Sequence, residues 1–205
     1  MEVLLIRHGV TDGNIAHRHQ ARKTPLTPLG REQAARVAKH VQVFKPTHLI
    51  TSRMIRALQT AQIIGEAVDI TPETSSHFVE LMRSDSMYGR RLYSVHSLWF
   101  YVRWYWLPFA VKEEGAESYR DFRARLATAR EYIESLPADA RVVVVTHSAF
   151  ISFFVAHLCQ RRALGPWGML KVFKRLIDMP NTGITKLRYE QGRGRCGWRR
   201  VDEKT

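Results

Sequence analysis

LLIRHG, residues 4–9, is the stretch that decides the fold. Val3 to Ile6 form an unbroken apolar run, and Arg7, His8 and Gly9 follow at once. A run that is apolar at every position describes a strand covered on both faces, the habit of parallel sheets flanked by helices. A fixed cation beside a titratable imidazole at the end of such a strand has two readings. Either the strand simply stops at the surface there, or the pair awaits an anion, with phosphate the leading candidate.

The same grammar recurs twice. THLIT (47–51) runs into SRMIRALQTAQIIGEAV (52–68), where Met54, Leu58, Ala61 and Ile64 draw a helical apolar stripe. RVVVVT (141–146) runs into HSAFISFFVAHL (147–158), a four-valine strand ahead of a buried helix. Strands alternating with helices predict an α/β fold, a three-layer α/β/α sandwich with a mostly parallel central sheet. Ligands of such sheets bind beyond the carboxyl ends of the strands. There the sequence puts Arg7 and His8, then Ser52, Arg53 and Arg56, then Thr146, His147 and Ser148.

Around these units, LTPLGREQAARVAKHVQV (26–43) reads as a helix with Thr27 as N-cap and Pro28 in its first position. Residues 75–140 carry few strand signals and are expected to form a helical cap insertion over the strand ends, within a single domain spanning 1–205. Inside it, SLWFYVRWYWLPFA (97–110) packs seven aromatics into fourteen residues. The segment is too short to span a membrane and contains Arg103. It reads as a cap helix packed on the core, compatible with an apolar wall for a substrate, in preference to an interfacial membrane helix. Late in the chain, NTGITKLRYE (181–190) alternates as a strand does, and QGRGRCG (191–197) is a turn into WRRVD (198–202).

A chain of 205 residues, 45% hydrophobic and 25% charged, suits one soluble globular domain. Its net charge of +13 favours anionic partners: phosphorylated metabolites, nucleic acid or an acidic membrane surface. The stretch 161–205 holds 12 Lys and Arg against 4 Asp and Glu. No RNA-binding signature accompanies it, so it reads as a solvated basic face, and neither nucleic acid nor a membrane is the expected partner. Cys159 lies in the apolar run AFISFFVAHLC (149–159) and reads as a core residue; Cys196 forms no CxxC or zinc-spaced cluster. Neither a metal nor a cofactor is expected. VLLI is too short for a signal-peptide core, which makes a cytoplasmic location the default.

LIRHGVTDGN (5–14), PLTPLGREQA (25–34), SRMIRALQTA (52–61) and VELMRSDSMYG (79–89) together resemble the motifs of the histidine phosphatase superfamily. This is the group related to cofactor-dependent phosphoglycerate mutase, and the resemblance is to its branch of small bacterial broad-specificity phosphatases. GAESYRDFRARL (115–126), VVVVTHSAF (142–150) and NTGITKLRY (181–189) extend the resemblance over nearly the whole chain. Val10 departs from it, where glutamate is frequent, as do Ser148 and Ala149, where glycines are common.

The resemblance implies phosphoryl transfer with His8 as nucleophile, held by the adjacent backbone. Arg7 and Arg56 become the phosphate clamp, with Arg53 the weaker alternative, and His147 a donor to the transferring group. Glu80 becomes the general acid, with Asp85 as fallback. Thr11 and Asn14 would add neutral donors at the rim, and Ser148 and Ala149 the amides of a helix N-terminus. The implied function is a metal-independent phosphatase acting on a phosphorylated small molecule, and the aromatic segment 97–110 suggests an apolar or aromatic leaving group. A mutase-type phosphotransferase would use the same residues. The 66 residues between Glu80 and His147 are short for the covering structure a mutase needs. The third reading is a phospho-ligand-binding module without turnover.

Overall fold

The two most apolar runs meet at the centre of the molecule. In the computed structural model, which describes residues 1–106, 115–160, 162–192 and 196–201, β1 (Glu2–Arg7) pairs in parallel with β4 (Arg141–Thr146). β4 pairs in parallel with β2 (His48–Ser52), and β2 with the short β3 (Glu73–Ser75). Beyond β1 the direction reverses, and β5 (Ile184–Tyr189) and β6 (Trp198–Val201) run antiparallel. The sheet order is β3-β2-β4-β1-β5-β6. The mostly parallel sheet expected from the sequence is present, and both late strands form its antiparallel margin.

Alternate residues of each strand face opposite ways, which explains why the runs are apolar throughout. Leu4, Ile6, Val143 and Val145 pack against α2 (Pro28–Phe44) and α3 (Ile55–Val68). Val3, Leu5, Val142 and Val144 pack against α5 (Tyr119–Glu134) and α6 (Ser148–His157). The result is three layers. α2 begins as its sequence predicts: Thr27 Oγ1 accepts the Gly30 N–H at 3.1 Å and Pro28 takes the first turn.

The stretch 75–140 divides into two parts. α5 turns Phe122, Leu126, Ala129 and Ile133 into the sheet-facing core, so it belongs to the sandwich. α4 (Val95–Trp106) carries the aromatic segment as far as residue 106; residues 107–110 of that segment lie outside those described. Trp104 is fully buried and donates its Nε1–H to the Glu117 carbonyl at 3.0 Å. No helix among the described residues is long and apolar enough to cross a membrane.

One contact locks the start of the site to α2. A Cβ on Gly9 would stand 2.3 Å from the Gly30 carbonyl oxygen, and a Cβ on Gly30 would stand 2.2 Å from the Val10 carbonyl oxygen. Both obstacles are backbone, which cannot rotate aside. Gly30→Ala is expected to destabilise the protein by about 3 kcal/mol through overpacking, a fall in Tm of roughly 6–12 °C for a chain of this size. Thermal unfolding of the variant checks it, and an unchanged Tm would show that the loop relaxes freely.

The cysteines require a correction. Cys159 is no core residue: it is exposed just past the end of α6 and bonded to Cys196, with the Cα atoms 5.3 Å apart. The partners lie 37 residues apart in sequence, a pairing that spacing alone does not reveal. Such bonds persist in oxidising compartments, so cysteine usage lends the cytoplasmic expectation no support.

Candidate active site

The β1/β4 register builds the site. Arg7 lies opposite Thr146, so the next residues, His8 and His147, leave the sheet side by side with ring centroids 5.2 Å apart. The His8 N–H donates to the Thr146 carbonyl at 3.0 Å. β2 ends one strand further on, where Ser52 Oγ lies 2.8 Å from His147 Nε2.

His8 is buried, and its Nδ1 lies 2.7 Å from the Gly9 carbonyl oxygen. A carbonyl only accepts, so Nδ1 carries the proton and Nε2 keeps its lone pair. Burial, followed by the positive charges of Arg56 and Arg7, holds the imidazole well below its ordinary pKa, while the Gly9 carbonyl opposes them weakly. His147 is lowered in the same way, by burial first and then by Arg56. Its Nδ1 is buried with no hydrogen-bond partner among the described residues.

Arg56 sits in the first turn of α3, the place the SRMIRA stretch predicts. Its Nη1 donates to the Ala21 carbonyl at 3.0 Å and its Nη2 lies 3.0 Å from the Met54 sulfur. Burial lowers its pKa to about 10 against the pull of Glu80, which leaves it cationic at neutral pH. Arg7 donates Nη1 to the Met179 carbonyl. The Nε–H groups of both arginines are buried without a partner among the described residues. Buried donors left over in this way mark a place for an anionic acceptor.

Glu80 is also buried, and it does a job that sequence patterning does not announce. Its Oε1 accepts the Leu81 and Phe150 N–H groups at 2.9 and 3.1 Å, and its Oε2 the Ala149 N–H at 3.5 Å. His147 at the N-cap of α6 makes no side-chain cap bond, so the carboxylate caps that helix from elsewhere in the chain.

Arg7, His8, Asn14, Arg56, Glu80 and Ser148 all line one cavity of about 840 Å³. His147 stands behind His8, outside the lining. Thr11 and Ala149 are buried and do not reach the cavity. Thr11 instead caps α1 (Asp12–Ile15) and accepts the Asn14 N–H at 3.3 Å. Ala149 offers its amide to Glu80. Arg53 and Asp85 are exposed and outside the cavity.

The sequence reading passed over four contributors. Asn181 donates Nδ2 to the His8 carbonyl at 3.1 Å and to Asn14 Oδ1 at 3.2 Å, fixing the strand end and the rim together. Arg83, Tyr101 and His19 line the cavity. Arg83 Nε donates to the Tyr101 hydroxyl at 2.8 Å. Burial pulls its pKa down, but Tyr101 and Glu80 outweigh burial and leave it raised. Burial and the nearby Arg83 lower His19 to about 3, so it is neutral. Arg83 shares its segment with Glu80, but no pattern in the sequence singles it out. Among the described residues no group of three or more His, Cys, Asp or Glu is arranged to hold a metal.

The sequence profile described as histidine phosphatase superfamily (branch 1) matches residues 3–201. A protein of Proteus mirabilis named "Probable phosphoglycerate mutase GpmB" is 44% identical over 68 residues, a third of this chain and 32% of its own length. Its namesake in Klebsiella pneumoniae is 27% identical over 203 residues, covering 93% of this chain and 86% of the relative. Among solved structures, a mycobacterial glucosyl-3-phosphoglycerate phosphatase superposes with a TM-score of 0.73 at 24% identity, over 98% of this chain and 96% of the other. That likeness concerns the fold.

Proposed function

Because the chain belongs to the histidine phosphatase superfamily (branch 1), we propose that it is a metal-independent phosphatase that hydrolyses phosphomonoesters through a phosphohistidine on His8. The observation that carries this reading is a buried, neutral His8 whose Nδ1–H is committed to the Gly9 carbonyl. Its Nε2 lone pair is therefore available beside two arginines with spare donors.

In the first step Nε2 attacks phosphorus and the bond to the ester oxygen breaks. Arg7 and Arg56 neutralise the equatorial oxygens, and His147 stands behind His8 rather than against the transferring group. The Glu80 carboxyl gives its proton to the departing alkoxide. In the second step Glu80 takes a proton from water as the water oxygen attacks phosphorus, and the P–N bond breaks. Phosphate leaves, and His8 is restored with its proton still on Nδ1. Asn14 and Ser148 border the pocket and complete the set. The arginines supply the positive charge this chemistry needs.

Hydrolysis is favoured over mutase chemistry by the upper part of the cavity, which is walled by apolar side chains such as Leu98, Leu170 and Phe173. The apolar wall also supports an apolar or aromatic leaving group. Turnover of p-nitrophenyl phosphate with and without 3-phosphoglycerate, in EDTA, separates the readings. Phosphate release at the same rate in EDTA, with a trapped phosphoenzyme that decays to free phosphate, is the expected result. Quantitative transfer to the added acceptor would establish a mutase, and loss of activity in EDTA would overturn metal independence.

A further inference from the structure

The cavity is amphipathic from end to end. At its floor, Arg7, Arg56 and Arg83 surround the single carboxylate of Glu80, leaving net positive charge for an anion. Above Arg83 and Tyr101 the lining changes character. α4 faces inward with Leu98 and Val102, one helical turn apart. Opposite stands α7 (Pro166–Asp178), which contributes Leu170, Phe173 and Ile177 at i, i+3 and i+7. The two stripes make a channel walled mainly by aliphatic side chains. At about 840 Å³ it is a drug-sized pocket, far more room than a phosphate and a small polar alcohol require. Leu98, Leu170 and Ile177 are 65%, 59% and 57% exposed, so the apolar lining reaches the surface at these residues.

From this we infer that the substrate is a single-chain lipid phosphate: a phosphomonoester whose alcohol carries a long, flexible aliphatic chain lying between α4 and α7. The inference rests on the phosphatase reading and narrows it, because an aromatic leaving group would satisfy that reading equally. Two features choose the chain. Aliphatic residues at helical spacing on two helices form a track longer than one ring, and exposed Leu98, Leu170 and Ile177 give a longer chain apolar contact at the rim. The charge at the floor sets the orientation, phosphate down and tail out.

The test is the dependence of kcat/KM on chain length for n-butyl, n-hexyl and n-octyl phosphate, each below its critical micelle concentration. Benzyl phosphate and p-nitrophenyl phosphate are run beside them. Each methylene buried along the track is expected to raise kcat/KM about two- to fourfold, which gives at least roughly a tenfold rise from butyl to octyl. Leu98→Glu combined with Ile177→Glu is expected to pull the octyl-to-butyl ratio towards one; as a ratio, it cancels any general loss of active protein. A flat series, or benzyl phosphate outrunning octyl phosphate, while p-nitrophenyl phosphate is turned over would overturn the chain site and leave the phosphatase intact. If the wild type releases phosphate from none of these compounds, the phosphatase reading fails. Calorimetry on the His8→Ala protein then decides the chain site alone: tighter binding of octyl than of butyl phosphate upholds it, and equal binding overturns it.

Discussion

His8→Ala is expected to reduce hydrolysis of p-nitrophenyl phosphate by about four orders of magnitude or more, the scale on which removal of a nucleophile acts. No other group in the described site can take over the attack. His147 has Nε2 engaged by Ser52 and does not line the cavity, and Glu80 is the group assigned to the proton transfers. The fold should be indifferent to the change, since His8 donates only one side-chain hydrogen bond, to its own neighbour. Circular dichroism and Tm therefore serve as controls beside the rate. A variant that keeps its fold and most of its activity would remove His8 from the mechanism.

Acid is expected to weaken the protein before any carboxylate is fully protonated. His8 and His147 have folded pKa values well below the ordinary 6.5, because burial and the arginines disfavour the charged ring. Above pH 6.5 both rings are neutral whether the chain is folded or not, and they cost nothing. As pH falls through 6.5 the unfolded chain binds protons that the folded chain refuses, so stability falls with pH. From pH 7.5 to 5.5 each buried ring contributes one pKa-unit equivalent of about 1.4 kcal/mol, and the pair roughly 3 kcal/mol. His19, lowered to about 3, pushes in the same direction. Urea unfolding at the two pH values measures the difference, in buffers free of phosphate and sulfate so that no bound anion masks it. Stability that held level or rose towards pH 5.5 would show that these rings are charged in the folded protein.

Much of the layered fold was legible because burial on both faces writes itself as an unbroken apolar run. VLLI and VVVV could hardly be anything but neighbouring inner strands. Arg7, His8 and His147 followed from them, because strand ends in a parallel sheet share one edge. Arg56 was legible through its place in the first helical turn after β2. Other parts depend on contacts that no local pattern encodes. The α5 stripe of Phe122, Leu126 and Ile133 says that one face is buried but not that it meets the sheet. Thr11 and Ala149 sit in the right segments but spend their polar groups on α1 and on Glu80. Arg83 carries no periodic signal, and Cys159 meets Cys196 only because α6 ends beside β6.

The seating of Gly9 on the Gly30 main chain, and of Gly30 on that of Val10, has an evolutionary consequence. Each glycine is opposed by main-chain atoms, and every residue type at the facing position brings the same main chain. No replacement at Gly30 can make room for a side chain at Gly9, and none at Val10 can make room for one at Gly30. Homologous sequences that retain this seating should therefore show two invariant columns with no covariation between them, although the residues touch.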